Sequence, residues 1–254
     1  MSTLWTNRRL PQLAIFFSLG LFLLGSLLSG TFYWYLSERL LWLVVISTVI
    51  FLAIPVILVT GQTKAAPHGH AHRPDEPAGE PEATHIPMRR LVLMALPLIL
   101  GVLVPARPLS AVAVTTKSLN NTAALSVGNS QPASFASLPS SQYSILDWVR
   151  EANGRADPQR LEGLSADVIG FVDHDQRLPA GQFLVGRYAI THCIAEAVAV
   201  GMIVAWPQSA PPDNAWVRVK GRVSLDTLGG KPAPKIEADS VEVVPQPARP
   251  YLYP

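Results

Sequence analysis

Three histidines in five residues, His68, His70 and His72, form the densest set of metal-competent side chains in the chain. Neutral imidazole ligates zinc and similar divalent ions, and alternating histidines on a pliable backbone can converge on one ion. They lie in a stretch rich in proline, glycine and acidic residues that continues through Glu80, Glu82 and His85, a composition that resists packing into a core. A site built there would be weak and exchangeable, because no rigid scaffold fixes its geometry. The plainer alternative is a polar linker. A second cluster, His192, Cys193 and Glu196, offers imidazole, thiolate and carboxylate, three ligands that leave a fourth zinc position open. Its alternative is structural: Cys193 as a small buried residue, with His192 and Glu196 satisfying nearby backbone groups. His192 and Cys193 must escape strict strand alternation to converge on one ion.

Other chemistry is poorly supplied. Cys193 is the sole cysteine, so no intramolecular disulfide forms. There is no glycine-rich phosphate loop and no Gly-x-Ser-x-Gly, and adjacent His192 and Cys193 make a poor nucleophile–base pair. His174, between Asp173 and Asp175, is expected at the opposite end of a strand from His192. No catalytic residue is assigned, and the chain is expected to be non-enzymatic. From Lys117 onward, 12 Lys/Arg face 13 Asp/Glu, which removes the basic excess that nucleic-acid binding requires.

The elements that must carry these residues divide sharply. Charge is absent from Leu10 to Ser37, from Leu40 to Thr63 and from Leu91 to Ala106. A bilayer-spanning helix needs about 20 apolar residues. Residues 13–32 and 40–59 meet that length, whereas the third run reaches about 24 Å and spans only with local thinning or snorkelling by Arg107. A cleavable signal peptide is the rival for the first run, but that run exceeds the usual apolar length and leads into Phe32-Tyr33-Trp34-Tyr35, which reads as an interfacial aromatic belt. Arg8, Arg9, Lys64, Arg73, Arg89 and Arg90 outweigh Arg39, Arg107 and Lys117. The positive-inside rule then puts the N-terminus and second loop in the cytoplasm and the C-terminal domain outside a multi-pass cell-membrane protein.

The expected organisation is two transmembrane helices in 1–63, a His/Pro/acidic cytoplasmic loop in 64–90, a third helix and its exit in 91–114, a flexible linker in 115–142, and an extracytoplasmic β domain in 143–254. Ser144 and Asp147 open a short helix that stops at Asn153-Gly154. Beyond it the apolar period changes to two, predicting strands at 164–172, 182–192, 197–206, 216–224 and 235–244, with 228–234 as a turn. Five such strands, with Gly170 where a strand must bend, predict a five-stranded OB-like barrel. Pro207, Pro211 and Pro212 exclude the helix usual between its third and fourth strands. Trp216, Arg218, Lys220 and Arg222 share one face of the fourth strand, a solvated surface or one that meets an anion or acidic partner.

The run Leu96-Pro97 to Gly101, Val104-Pro105-Ala-Arg-Pro108-Leu109, Ile145-Leu-Asp147-Trp148, Gly170-Phe171-Val172, Phe183 to Ala197 and Trp216 to Gly221 resembles a bacterial family of uncharacterised membrane proteins described as predicted permease subunits. Its members carry N-terminal membrane helices, often a His-rich loop, and a C-terminal domain of unknown function with a Cys-Cys-x-Ala-Asp-type motif. Here His192 stands for the first cysteine and Glu196 for the aspartate, which keeps ligand-capable groups and removes a dithiol. The resemblance implies an accessory subunit of a polytopic membrane permease in the lipid bilayer. The histidine clusters add zinc or another divalent metal as the expected cofactor or cargo. The competing expectation is a membrane-tethered extracytoplasmic OB-like ligand-binding module that needs no permease.

Overall fold

The computed structural model describes residues 2–61, 88–113, 139–154 and 158–253. It divides into two compact units, Met1–Thr31 with Leu41–Ala106, and Phe32–Leu40 with Arg107–Pro254.

The first unit is helical: α1 (Ser2–Ser29), α2 (Leu41–Gly61) and α3 (Met88–Leu103). Two segments, Leu10–Ser29 and Glu38–Thr60, are long and apolar enough to cross a bilayer. α1 ends at Ser29 because Gly30 takes the left-handed conformation (φ +74°), three residues before the apolar pattern alone predicts. α1 and α2 touch closely: a Cβ on Gly20 would lie 2.8 Å from a Leu52 methyl, and Phe16 stacks on Phe51 at 5.8 Å. Gly101 of α3 lies against the Phe22 ring in the same way. Ser47, Thr48 and Thr60 return their hydroxyls to the carbonyls of Leu43, Val44 and Val56, which satisfies the polar groups of an otherwise apolar helix. α3 has 16 residues and falls short of the spanning length.

The second unit holds a closed five-stranded barrel with a short helix before it. Its strands are β1 (Ser165–Asp173), β2 (Gln182–Ala189), β3 (Val198–Ala205), β4 (Trp216–Leu228) and β5 (Lys231–Val243). Neighbours run β1-β4-β5-β3-β2, and β1–β2 pairing closes the ring. β3 and β5 pair in parallel and the other ring pairs are antiparallel, which is the OB-like arrangement. β4 alternates as its sequence demands: Val217, Val219 and Val223 face the core while Arg218, Lys220 and Arg222 are exposed. Gly170 is where β1 bends past β2, since a Cβ there would sit 2.5 Å from the Gly186 carbonyl oxygen.

Helix α4 (Ile145–Gly154) plugs the barrel, burying Ile145, Leu146, Trp148, Val149 and Ala152 against β1, β2, β3 and β5. Ser144 and Asp147 cap it reciprocally: Ser144 Oγ donates to Asp147 Oδ2 (2.7 Å), and the Asp147 N–H donates to Ser144 Oγ (3.3 Å). The proline-rich β3–β4 connection carries no helix among the described residues, and α4 supplies the apolar plug.

Three expectations shift. β2 stops at Ala189, three residues early, because His192 and Cys193 leave the ladder. The expected turn over 228–234 narrows to Gly229-Gly230, both left-handed (φ +59° and +79°), so β4 and β5 lengthen into one tight hairpin. A sixth strand, β6 (Tyr251–Leu252), pairs in parallel with Tyr188 and Ala189, which apolar periodicity over two residues could not announce.

Candidate functional site: the 192–196 turn and what it clasps

Beyond Ala189 the chain turns through a 3-10 turn, Ile194–Glu196, before β3. Glu196 organises this turn with a single oxygen. Its Oε1 accepts hydrogen bonds from the His192 N–H (2.6 Å) and the Cys193 N–H (3.1 Å), and lies 2.8 Å from His192 Nδ1. Partial desolvation pushes the Glu196 carboxyl up. The backbone N–H groups of Cys193 and His192, with the His192 ring, overcome this and hold it below the ordinary carboxylate range.

The turn receives the first loop. Leu36 and Cys193 form an antiparallel bridge, in which the Ser37 N–H donates to the His192 carbonyl (2.9 Å) and the Ile194 N–H to the Tyr35 carbonyl (2.8 Å). The C-terminal segment holds the same loop from another side. Tyr253 donates its hydroxyl hydrogen bond to the Tyr33 carbonyl (3.0 Å), and Arg249 pairs with Glu38 (2.8 Å) while lying 4.8 Å over the Tyr33 ring. Phe32 is buried. Desolvation, with Tyr251 and Glu38 nearby, pushes the Tyr253 phenol up to about 12. The aromatic run thus belongs to the β domain's own unit.

Residues 107–113 also join this unit. The Leu109 N–H donates to the Tyr251 hydroxyl (2.8 Å), the Ala111 N–H to Asn214 Oδ1 (2.6 Å), and Tyr188 donates to the Ser110 carbonyl (2.9 Å). Ala111 closes an outer apolar cluster of Phe171, Tyr188, Ile190, Ala197, Ala199 and Tyr251. The resemblance-bearing Pro108-Leu109 is therefore a docking segment.

The structure brings His192 and Glu196 together and leaves Cys193 half-buried, its backbone used in the bridge to Leu36. Among the described residues, no three His, Cys, Asp or Glu side chains are placed to hold a metal ion. The donor set also fits one poorly at this turn: one Glu196 oxygen is committed to three nitrogen partners and His192 Nδ1 to that oxygen. His68, His70 and His72 lie outside the described residues. His174 sits apart, its Nδ1 2.6 Å from Asp213 Oδ1. Sequence reasoning missed Arg187, Tyr188, Tyr251 and Tyr253. The one available signal was Arg187, a lone cation in the otherwise apolar run from Phe183 to Ile190.

Over 98 residues, 38% of this chain and 36% of the relative, the protein is 26% identical to a protein of Streptococcus mutans serotype c (strain ATCC 700610 / UA159) named "Putative two-component membrane permease complex subunit". Over 99 residues, 38% of this chain and 35% of the relative, it is 25% identical to the UPF0703 protein YcgQ of Bacillus subtilis (strain 168). The matches span about a third of the length of these curated relatives. Residues 10–120 match the DUF1980 N-terminal domain and residues 147–254 the DUF1980 C-terminal domain. With both domains present in order, the chain belongs to the uncharacterised DUF1980 family.

Proposed function

We propose that the protein is a non-enzymatic, membrane-anchored accessory subunit of a polytopic permease. The observation that carries this reading is the assembly of its second unit: the first loop and residues 107–113 are built into the β domain, next to the chain's passages into its apolar helices. A domain coupled this way at two points is suited to feel or restrain a partner's movement in the plane of the membrane. The name of the Streptococcus mutans relative supports a permease as that partner. The same assembly supports a three-span topology. Phe32–Leu40 and the β domain must share one side of the bilayer. α1 and α2 each cross, so the chain must cross again before Arg107, and α3 is the segment available, at the cost of thinning the bilayer locally. The Lys/Arg bias puts the shared side outside the cytoplasm.

A role in divalent metal transport rests on His68, His70 and His72 rather than on the 192–196 turn. The competing reading is a tethered ligand-binding module with no permease. Pulling the tagged protein from native membranes decides between them: a stoichiometric polytopic partner is expected, and recovery of the subunit alone from mild detergent would overturn the permease reading.

A further inference from the structure

β1 and β2 close the barrel over a short seam. They pair only from Phe171–Asp173 to Leu184–Gly186. Beyond the Phe171–Gly186 pair, toward Gly170 and Arg187, the strands part: the first half of β1 pairs with β4 and the last residues of β2 with β6. A cavity of about 240 Å³ lies in the gap, lined by Ser141, Ile145, Asp167, Ile169, Arg187 and Arg218 among others. At liquid density that volume holds about eight waters, the size of a small organic acid.

The two guanidinium groups in its wall differ in their pairing. Arg218 is neutralised by Asp167 through two parallel hydrogen bonds of 2.7 and 2.6 Å. Among the described residues, Arg187 pairs with no carboxylate. Its Nε donates to the Pro250 carbonyl (3.1 Å), its Nη2 donates to the Arg249 carbonyl (2.7 Å), and it lies 5.7 Å over the Trp216 ring. Only part of its fork is used. A cation placed at a strand seam without its counter-ion is costly, and that cost is relieved when an anion enters. Charge selects an anion: Asp167 faces both Arg218 and Lys220 (3.8 Å), so it does not offset Arg187, and its carboxylate repels a dianion more than a monoanion. Shape selects it too, since a guanidinium fork matches a planar carboxylate in two parallel bonds. Ile145 and Ile169 supply an apolar wall for the remainder of the molecule.

We infer that the seam beside Arg187 is a binding site for a monocarboxylate. Saturation-transfer NMR on the full chain in detergent tests this, with N-acetylglycine as a free acid, N-acetylglutamate amide as a protein side chain's carboxylate, and N-acetylglycine amide as the uncharged control. A saturable signal is expected for the acids and none for the control. Binding is expected to weaken at least tenfold in Arg187→Gln. It should weaken equally in Ile169→Glu, which places a carboxylate in the wall without touching the bonds from Arg187 to residues 249 and 250. Ile169→Glu decides the matter if Arg187→Gln does not fold. The stronger of the two acids identifies the source of the carboxylate. No saturable signal, equal binding in the foldable variants, or displacement by inorganic phosphate at lower concentration than by acetate would each overturn the assignment.

Discussion

Tyr253 shows how much one side chain can report on the clasp around the first loop. Burial favours its neutral phenol, which keeps its proton to about pH 12, whereas an unfolded chain gives it up near 10. The folded state therefore binds more protons over that interval. The contact's full stabilisation is present below about pH 10 and is lost as pH rises toward 12. Alkaline titration followed by phenolate absorbance should show one fewer late-titrating tyrosine in Tyr253→Phe. Melting temperature should fall less steeply above pH 10 in that variant than in the native chain, and parallel curves would show that the hydroxyl carries no coupling to Tyr33. Glu196 works in the opposite sense. Its carboxyl is held low by N–H donors, so the turn is intact above the ordinary carboxylate range and loosens as pH falls below it. In Glu196→Ala the amide of Ser37 should exchange several-fold faster at neutral pH, because the turn that presents the His192 carbonyl is released. Unchanged exchange would mean that the Leu36–Cys193 bridge stands without its carboxylate.

At the level of elements, the barrel's sensitive point is the bend in β1. Adding a methyl at Gly170 meets the backbone of Gly186, which cannot step aside as a side chain can. Gly170→Ala should cost about 2 kcal/mol or more in thermal or denaturant unfolding, within the usual range for overpacking. A loss under about 0.5 kcal/mol would mean that the seam is looser than described. This bend, the five ring strands and the Ser144–Asp147 cap were all legible in the residues, because each is a local pattern: a glycine in an apolar strand, alternation, a polar residue ahead of an apolar helix. The first loop's place on the 192–196 turn was not. Backbone hydrogen bonds between distant segments leave no side-chain periodicity, and four consecutive aromatics suit a lipid interface as well as a protein surface. His192, Cys193 and Glu196 read equally as ligands or as partners of nearby backbone, and residue types alone do not choose between them; Glu196 spends its oxygen on backbone N–H groups. β6 is too short to register, and the barrel's plug was recognised as a helix without its partner surface.

For the whole molecule, the testable statement is a matter of parity. A reporter active only outside the cytoplasm should work when fused after Val114 or inserted after Ser37, and should fail when fused after Gln62. Agreement between the first two sites follows from their membership of one unit and does not depend on which side is outside. Opposite behaviour at those two sites would refute three spans and the clasp together. The same membership sets where the domain ends. A fragment beginning at Ser140 lacks residues 107–113 and uncovers Tyr188, Ile190 and Tyr251. A fragment from Arg107 should therefore melt several degrees higher than one from Ser140.

The ion pair between Glu38 and Arg249 joins residues 211 positions apart, and that separation imposes a schedule on biogenesis. At roughly 5–20 residues per second, the ribosome needs on the order of 10 to 40 seconds after making Glu38 before Arg249 exists. During that interval the loop between α1 and α2 lacks its partner, and Phe32 and Tyr33 are uncovered. The β domain is made after the helices, and it closes over a loop made between the first two. A chain that stops short of Arg249 is thus left with both a loop without its dock and a dock without its latch.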